Sequence, residues 1–126
     1  MSIDKQNFVN LSNHPSSKWS EKQLNEAYKY GDIVDIDFPS IRAEAGEEEI
    51  TSLATVYAEQ ITALQPAAVM CQGEFTFVYA LVRLLTARGI PCVAACSARS
   101  VMESVDEDGN TKKLAVFEFV RFRKYG

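Results

Sequence analysis

The sequence predicts an α/β domain: a small Rossmann-like, mostly parallel sheet flanked by helices, with a C-terminal antiparallel hairpin. Three observations carry that expectation. Short β-rich runs alternate with segments of 3.6-residue apolar period along most of the chain, the pattern that builds parallel sheets through right-handed crossovers. Ala67–Cys71 is apolar without alternation, as a strand covered on both faces must be. In the tail, two apolar runs flank Asp108-Gly109, a tight-turn dipeptide.

Each element has its own signal. Phe8-Val9-Asn10-Leu11 reads as a first strand, ending in the polar cluster Ser12-Asn13-His14-Pro15. Ser20 is a good N-cap, and Gln23 three residues later completes a capping box. Trp19 and Leu24 form a hydrophobic staple. Leu24, Ala27 and Tyr28 make the inward face of that helix, and Gly31 falls where a C′ glycine belongs. Ile33–Phe38 alternates as a second strand, stopped by Pro39. Glu47-Glu48-Glu49 supplies negative charge at a helix start, and Ile50, Leu53, Ala54, Tyr57, Ile61 and Leu64 form its apolar stripe before Pro66 ends it. The buried strand at Ala67–Cys71 leads through Gln72-Gly73-Glu74-Phe75-Thr76 into a third helix. That helix carries Val78, Leu81, Val82 and Leu85 and is closed by Gly89. Ile90–Cys96 is a further buried strand ending in Ser97-Ala98-Arg99-Ser100. Val101–Val105 and Leu114–Phe122 form the hairpin. The expected order of the first strands is 3-2-1-4 or a near variant.

The 126 residues, at 14.0 kDa, suit a single domain over 1–126 and allow a core without metal or disulfide staples. Composition is that of an ordinary globular chain, 47% apolar and 24% charged. With 13 basic against 17 acidic residues, the net charge is −4, which disfavours wrapping of long nucleic acid. One anionic ligand in a local pocket remains compatible with it. Cys71, Cys92 and Cys96 are too few for a disulfide scaffold, and on one strand Cys92 and Cys96 lie roughly 13 Å apart, too far to bridge. Met1–Gln6 is polar with no apolar signal region, and the longest apolar run, near Phe75–Ala87, is shorter than a membrane span. The expectation is a cytoplasmic protein without membrane association.

Ligands of open α/β sheets bind outside the carboxyl ends of the strands. That rule selects Ser12, Asn13 and His14 from the first strand and Phe38 from the second. The third supplies Gln72, Gly73, Glu74 and Thr76, and the fourth Ser97 and Arg99. The Gly73 turn opens a helix whose amides suit an anion, and Lys18 and Arg99 add positive charge. The site expected is a pocket for a phosphate-bearing or other anionic small molecule. Each residue also has a structural use: Ser12 and Asn13 as turn formers, Gly73 as a tight turn, Glu74 as a dipole partner. No GxGxxG follows the first strand, and no GxxxxGK[ST], GxSxG or metal-ligand spacing occurs. Arg121, Arg123 and Lys124 read as surface or dimer-rim charges.

Phe8–Pro15, followed by a helix and a strand ending in Pro39, then Gln72–Thr76, a helix, and Val93–Ser97 with Arg99, resembles in layout the small Rossmann-like CRISPR-associated proteins of type III systems. Some of these are ring nucleases, relatives of the domain that senses cyclic oligoadenylate. The resemblance covers most of the chain as a pattern. It implies a cytoplasmic homodimer with a two-fold pocket for a cyclic oligoadenylate and no cofactor. It also implies metal-independent cleavage, by attack of the ribose 2′-hydroxyl on the adjacent phosphodiester, that switches off antiviral signalling. On that reading Arg99 or the Gly73 amides hold the phosphate in line, and His14 or Glu74 moves the proton. Ser12, Asn13, Gln72 and Thr76 orient ribose and adenine. Two other expectations compete with it: a non-catalytic nucleotide-sensing module, and a Rossmann-like interaction subunit whose rim residues are structural.

Overall fold

The computed structural model describes residues 6–126, so most of the polar segment read at Met1–Gln6 lies outside the described residues. Strands and helices follow the expected alternation: β1 (Asn7–Ser12), a 3-10 turn at Ser16–Lys18, α1 (Glu21–Tyr28), β2 (Asp32–Asp37), α2 (Glu47–Ala63), β3 (Ala68–Cys71), α3 (Phe75–Ala87), β4 (Cys92–Val105) and β5 (Thr111–Lys124). The five strands form one mixed sheet. β2, β1, β3 and β4 are parallel, and β5 pairs antiparallel with β4. The fold class is the α/β arrangement expected.

The strand order is β2-β1-β3-β4-β5, not 3-2-1-4. The reason lies in what each strand can bury. All four residues of β3 are buried, so β3 needs a neighbour on each edge and a helical layer on each face. The order 3-2-1-4 would leave it at the sheet's margin. β2, with Asp32, Asp35 and Asp37 exposed, is the strand suited to an edge. α2 therefore carries the chain from edge strand β2 across β1 to the far side.

The polar stretch Ser97–Ser100, expected to end the fourth strand, is strand throughout. It fuses the expected fourth strand and first hairpin strand into β4, whose pairing with β5 runs from Val93 opposite Lys124 to Val105 opposite Thr111. A bulge makes this continuity possible. Cys96 faces Arg121 and Ser97 faces Phe119, so Val120 has no partner. The skipped residue turns Phe119 and Phe122 to the same face, where their rings lie 4.9 Å apart. Beyond the bulge the two strands stand clear of the helices as an arm. Its turn is drawn together by the Asp106 carboxylate, which accepts from the amides of Asp108 and Asn110.

The sheet separates two apolar layers. On one face Val9, Leu11, Val69, Cys71 and Cys92 pack against Ile50, Ala54, Ala58 and Ile61 of α2 and Phe77, Leu81 and Leu85 of α3. On the other, Phe8, Ala68, Met70 and Val93 pack against Ala27 of α1, with Trp19, Tyr30 and Phe122 at the margin. Phe8 is the hub of that layer, 5.0 Å from Phe122 and 5.3 Å from Tyr30 between ring centroids. Tyr28, expected on the inward face of α1, is exposed; Tyr30, just past the helix end, takes the buried place. Leu64, the last residue of the expected α2 stripe, is likewise exposed. At the α1 N-terminus the Gln23 amide N–H donates to Ser20 Oγ at 3.2 Å as expected, but the Gln23 side chain reaches Met70 Sδ instead of closing the box. No helix among the described residues is long and apolar enough to cross a membrane.

Gly31 is held by close approach rather than by helix termination alone. Its φ is +153°, and a Cβ there would collide with the Gln6 carbonyl at the mouth of β1. The contact is backbone to backbone, so neither side can yield. Gly31→Ala is therefore expected to lower the unfolding free energy by at least about 2 kcal/mol, read as a shift of the urea midpoint. An unshifted midpoint would remove this assignment.

Candidate functional site

The loop after β1 is built on a buried amide. Asn10, 1% exposed, interrupts the apolar run of β1 and satisfies itself completely. Its Nδ2 donates to Asp35 Oδ1 on β2 and to the His14 carbonyl, each at 2.9 Å, and its Oδ1 accepts from Ser12 Oγ at 2.7 Å. The His14 amide donates back to Ser12 Oγ, and Trp19 Nε1 donates to the same His14 carbonyl at 3.1 Å. Asp35 also accepts from Ser16 Oγ at 2.7 Å. The parallel register that sets Asn10 beside Asp35 thus pins the whole segment from Ser12 to Trp19 against the sheet edge.

That segment forms one wall of a pocket of about 1030 Å³ on the α1 face, beyond the end of β3. Asn13, His14, Lys18 and Trp19 come from the loop, and Lys22 and Gln23 from the first turn of α1. Gln72 follows β3, Ser97 sits on β4, and Phe117 and Phe119 on β5. Its chemistry is cationic and aromatic: two lysines and an imidazole face a phenylalanine pair, with Glu118 the acidic residue at the margin. Phe117 is 67% exposed, an uncovered ring beside the cations. Such a combination offers charge to a phosphate and a platform to a base.

The expected site residues divide among several places. Asn13, His14, Lys18, Gln72 and Ser97 converge in this pocket. Ser12 lies beneath it, buried, with its hydroxyl committed to Asn10. Gln72 has a structural duty as well: its Oε1 accepts from the Ala95 amide at 2.6 Å, continuing the edge of β4 where β3 has ended. Gly73 and Phe38 are on the opposite face. A Cβ at Gly73, where φ is +159°, would strike the Phe38 ring, and that ring packs edge-on to Phe77 at 5.3 Å. Glu74 and Thr76 start α3, away from the pocket. Arg99 is exposed on the arm beside Phe117, one pair beyond Ser97 on the same face. Ser97 and Arg99 owe their positions to strand pairing, not to a loop at a strand end.

Glu74 is a helix cap. Its carboxylate accepts from Thr76 Oγ1 and from the amides of Phe77 and Thr76. The Thr76 hydroxyl first, and then those two amides, hold its pKa below the ordinary 4.5. A carboxylate so satisfied is poorly placed to accept a proton from a ligand. Burial pushes the thiols of Cys71 and Cys92 up to about 12 and about 11, so both stay protonated at neutral pH. Among the described residues no group of three His, Cys, Asp or Glu side chains is arranged to hold a metal ion.

Trp19, Lys22, Phe117 and Phe119 were not among the residues selected by the strand-end rule. Lys22 sits on a helix whose placement over the sheet is a tertiary matter. The two phenylalanines lie far along the sequence, on a strand brought back by the hairpin. The one local sign was Asn10, a lone amide within an apolar strand.

Two outcomes follow. Asn10→Ala removes one donor each from Asp35 and the His14 carbonyl and the acceptor of the Ser12 hydroxyl, and is expected to cost about 2–3 kcal/mol. The emission of Trp19, the chain's single tryptophan, should shift red as the loop loosens; unchanged stability and emission would refute the pinning role. For Glu74, a folded pKa below the ordinary value makes the cap's contribution complete above pH 4.5 and lost as pH falls through the lowered value. Glu74→Gln should therefore be less stable than the parent at neutral pH, with the gap closing in acid. A pH-independent gap would contradict it.

A family model described as the Uncharacterized protein MJ1673 family matches residues 6–123, including every pocket residue named above. Neither a curated protein nor a solved structure matches the chain. The match spans nearly the whole chain, and the protein therefore belongs to the MJ1673 family.

Proposed function

We propose that the α1-face pocket binds a cyclic oligoadenylate and that the protein is a metal-independent ring nuclease that ends type III CRISPR antiviral signalling as a homodimer. One observation carries the reading: His14, Lys18 and Lys22 stand across from Phe117 and Phe119 in a pocket at the carboxyl ends of the parallel strands, where α/β sheets take their ligands. The lysines neutralise a phosphodiester while the exposed Phe117 ring stacks on an adenine. Ser97, Asn13 and Gln72 supply neutral polar groups for ribose and base edges. A volume of about 1030 Å³ lies at the upper end of ordinary small-molecule sites, which suits a ligand larger than a mononucleotide. Arg99, next outward on the arm, meets the part of the ring that overhangs the pocket.

In the cleavage step the ribose 2′-oxygen forms a bond to the adjacent phosphorus and the P–O5′ bond breaks. The products are a 2′,3′-cyclic phosphate and a 5′-hydroxyl end. His14 takes the 2′-hydroxyl proton, worth about 10²–10⁴-fold, and the departing O5′ takes a proton from solvent water to become the 5′-hydroxyl. Lys18 and Lys22 stabilise the charge that builds on the phosphoryl oxygens. Glu74, committed to its helix cap, has no part in this step.

Sensing without cleavage is favoured by a separate observation. The His14 imidazole makes no hydrogen bond among the described residues, so no neighbour fixes its tautomer or direction. Labelled cyclic tetra- and hexa-adenylate, incubated with the protein in EDTA, decide between the two. Cleavage to linear products is expected, falling about 10²–10⁴-fold in His14→Ala, with binding weakened in Lys22→Ala and Phe117→Ala. Binding without turnover leaves the sensor, and absence of binding refutes both.

A further inference from the structure

The β4–β5 arm carries more exposed apolar surface than a hairpin in water can use. Met102 and Leu114 on its α3 side are more than half exposed, while Val101, Val105 and Phe117, exposed to a like degree, lie on its α1 side; a two-stranded hairpin with no covering layer is marginal. The chain exposes 8718 Å², against about 6,700 Å² for a compact chain of this mass. The exposed arm contributes to that surplus, and a standard interface takes ~800 Å² from each partner.

Pairing across the arm sorts its side chains by face. Met102 opposes Leu114, Ser100 opposes Val116, Ala98 opposes Glu118, Ser104 opposes Lys112, Cys96 opposes Arg121 and Ala94 opposes Arg123. Strand alternation puts all of these on the α3 side, the side to which Cys92 belongs; Glu118 also borders the ligand pocket. From root to tip this face reads basic at Arg123 and Arg121, acidic at Glu118 and apolar at Val116, Met102 and Leu114. It then turns basic at Lys112 and ends at the acidic turn Asp106-Glu107-Asp108. The pattern is its own complement when reversed about Val101–Ala115. Ala98–Glu118 then falls on Ser104–Lys112. Cys96–Arg121, about 17 Å inward at ~3.4 Å per residue, falls on the turn that begins at Asp106, about 17 Å outward. Stacked in the same direction, every charge would meet its like.

We propose that this face of the arm is the interface with a second copy of this chain. Two arms stack antiparallel about a two-fold axis at Val101–Ala115. Met102, Leu114 and Val116 interdigitate at the centre, Glu118 of one copy meets Lys112 of the other, and the acidic turn of each lies against the Arg121 and Arg123 root of its mate. At that root an apolar groove of about 510 Å³ runs between α3 and β4, edged by Phe75, Tyr79, Ala94 and Tyr125. Phe75, 88% exposed, extends the apolar surface to be covered. The inference rests on the two-copy part of the reading above and not on its ligand.

Light scattering on the full chain at micromolar concentration tests it. The parent should weigh twice 14.0 kDa, and Met102→Glu with Leu114→Glu should halve that mass while far-UV dichroism is retained. Arg121→Glu with Arg123→Glu should also yield monomer, and adding Glu107→Arg with Asp108→Arg should restore the dimer, which separates charge pairing from misfolding. A monomeric parent, a dimer that survives the glutamates at the apolar centre, or a charge exchange without rescue would overturn the interface. Titrating the same samples with labelled cyclic tetra-adenylate keeps the two ideas apart. A dimer that binds none refutes the ligand and leaves the interface; a monomer that binds it does the reverse.

Discussion

A polar amide in the middle of an otherwise apolar strand is a liability unless every lone pair and proton finds a partner, and Asn10 meets that condition across two strands and a loop. Its donors reach Asp35 and the His14 carbonyl, and its oxygen takes the Ser12 hydroxyl. Leaving any of these groups buried and unpaired would cost about 1–3 kcal/mol each, so the parallel register of β1 with β2 and the path of the following loop are chosen together. Everything on the pocket's near wall inherits that choice. Trp19 is tied to the same carbonyl, and its ring leans on Phe8 and Phe122 at 6.3 Å from each, which joins the loop to the aromatic layer beneath.

The opposite wall depends on the bulge between Cys96 and Ser97. A regular ladder would send Phe119 and Phe122 to opposite faces, since side chains alternate along a strand. Skipping Val120 turns both toward the α1 side. Phe122 then completes the packing around Phe8, while Phe119 and Phe117 form the pocket's aromatic wall. One irregularity therefore completes a core layer and shapes a surface, and it lets the strands continue outward as an arm. The two faces of that arm have different work: the α1 side borders the pocket, and the α3 side carries the self-complementary charge pattern.

Much of the fold was legible because its signals are local. The Ser20 cap, the α2 stripe from Ile50 to Ile61, the unbroken apolar run of β3 and the turn at Asp108-Gly109 each declare themselves within a few residues. The errors came where two local signals competed or a non-local one was needed. Tyr28 has the right helical spacing, but the chain turns at Gly31 and presents Tyr30 to the core instead. Ser97–Ser100 has loop-like composition, yet pairing with Phe117 and Phe119 holds it as strand. The site was half legible by the same logic. Asn13, His14, Gln72 and Ser97, picked by the strand-end rule, and Lys18, picked as a loop charge, line one pocket. The rule also drew in Phe38 and Gly73, which meet on the other face, and Glu74 and Thr76, whose hydrogen bonds start α3.

Residue order alone determined the α/β class, the helix boundaries and the burial of β3, because period, capping and turn chemistry act over a few residues and tertiary packing had no reason to override them. It also determined the acidic balance, net −4, which disfavours wrapping of long nucleic acid. Strand order, the bulge and the meeting of Lys22 with Phe117 were decided only in three dimensions. Each depends on contacts between segments far apart in the chain, where the energy of covering β3 on both edges and of satisfying Asn10 outweighs any local preference. The same holds for the arm: its charges lie scattered along two strands and become a pattern only when pairing sets Glu118, Arg121 and Lys112 on one face.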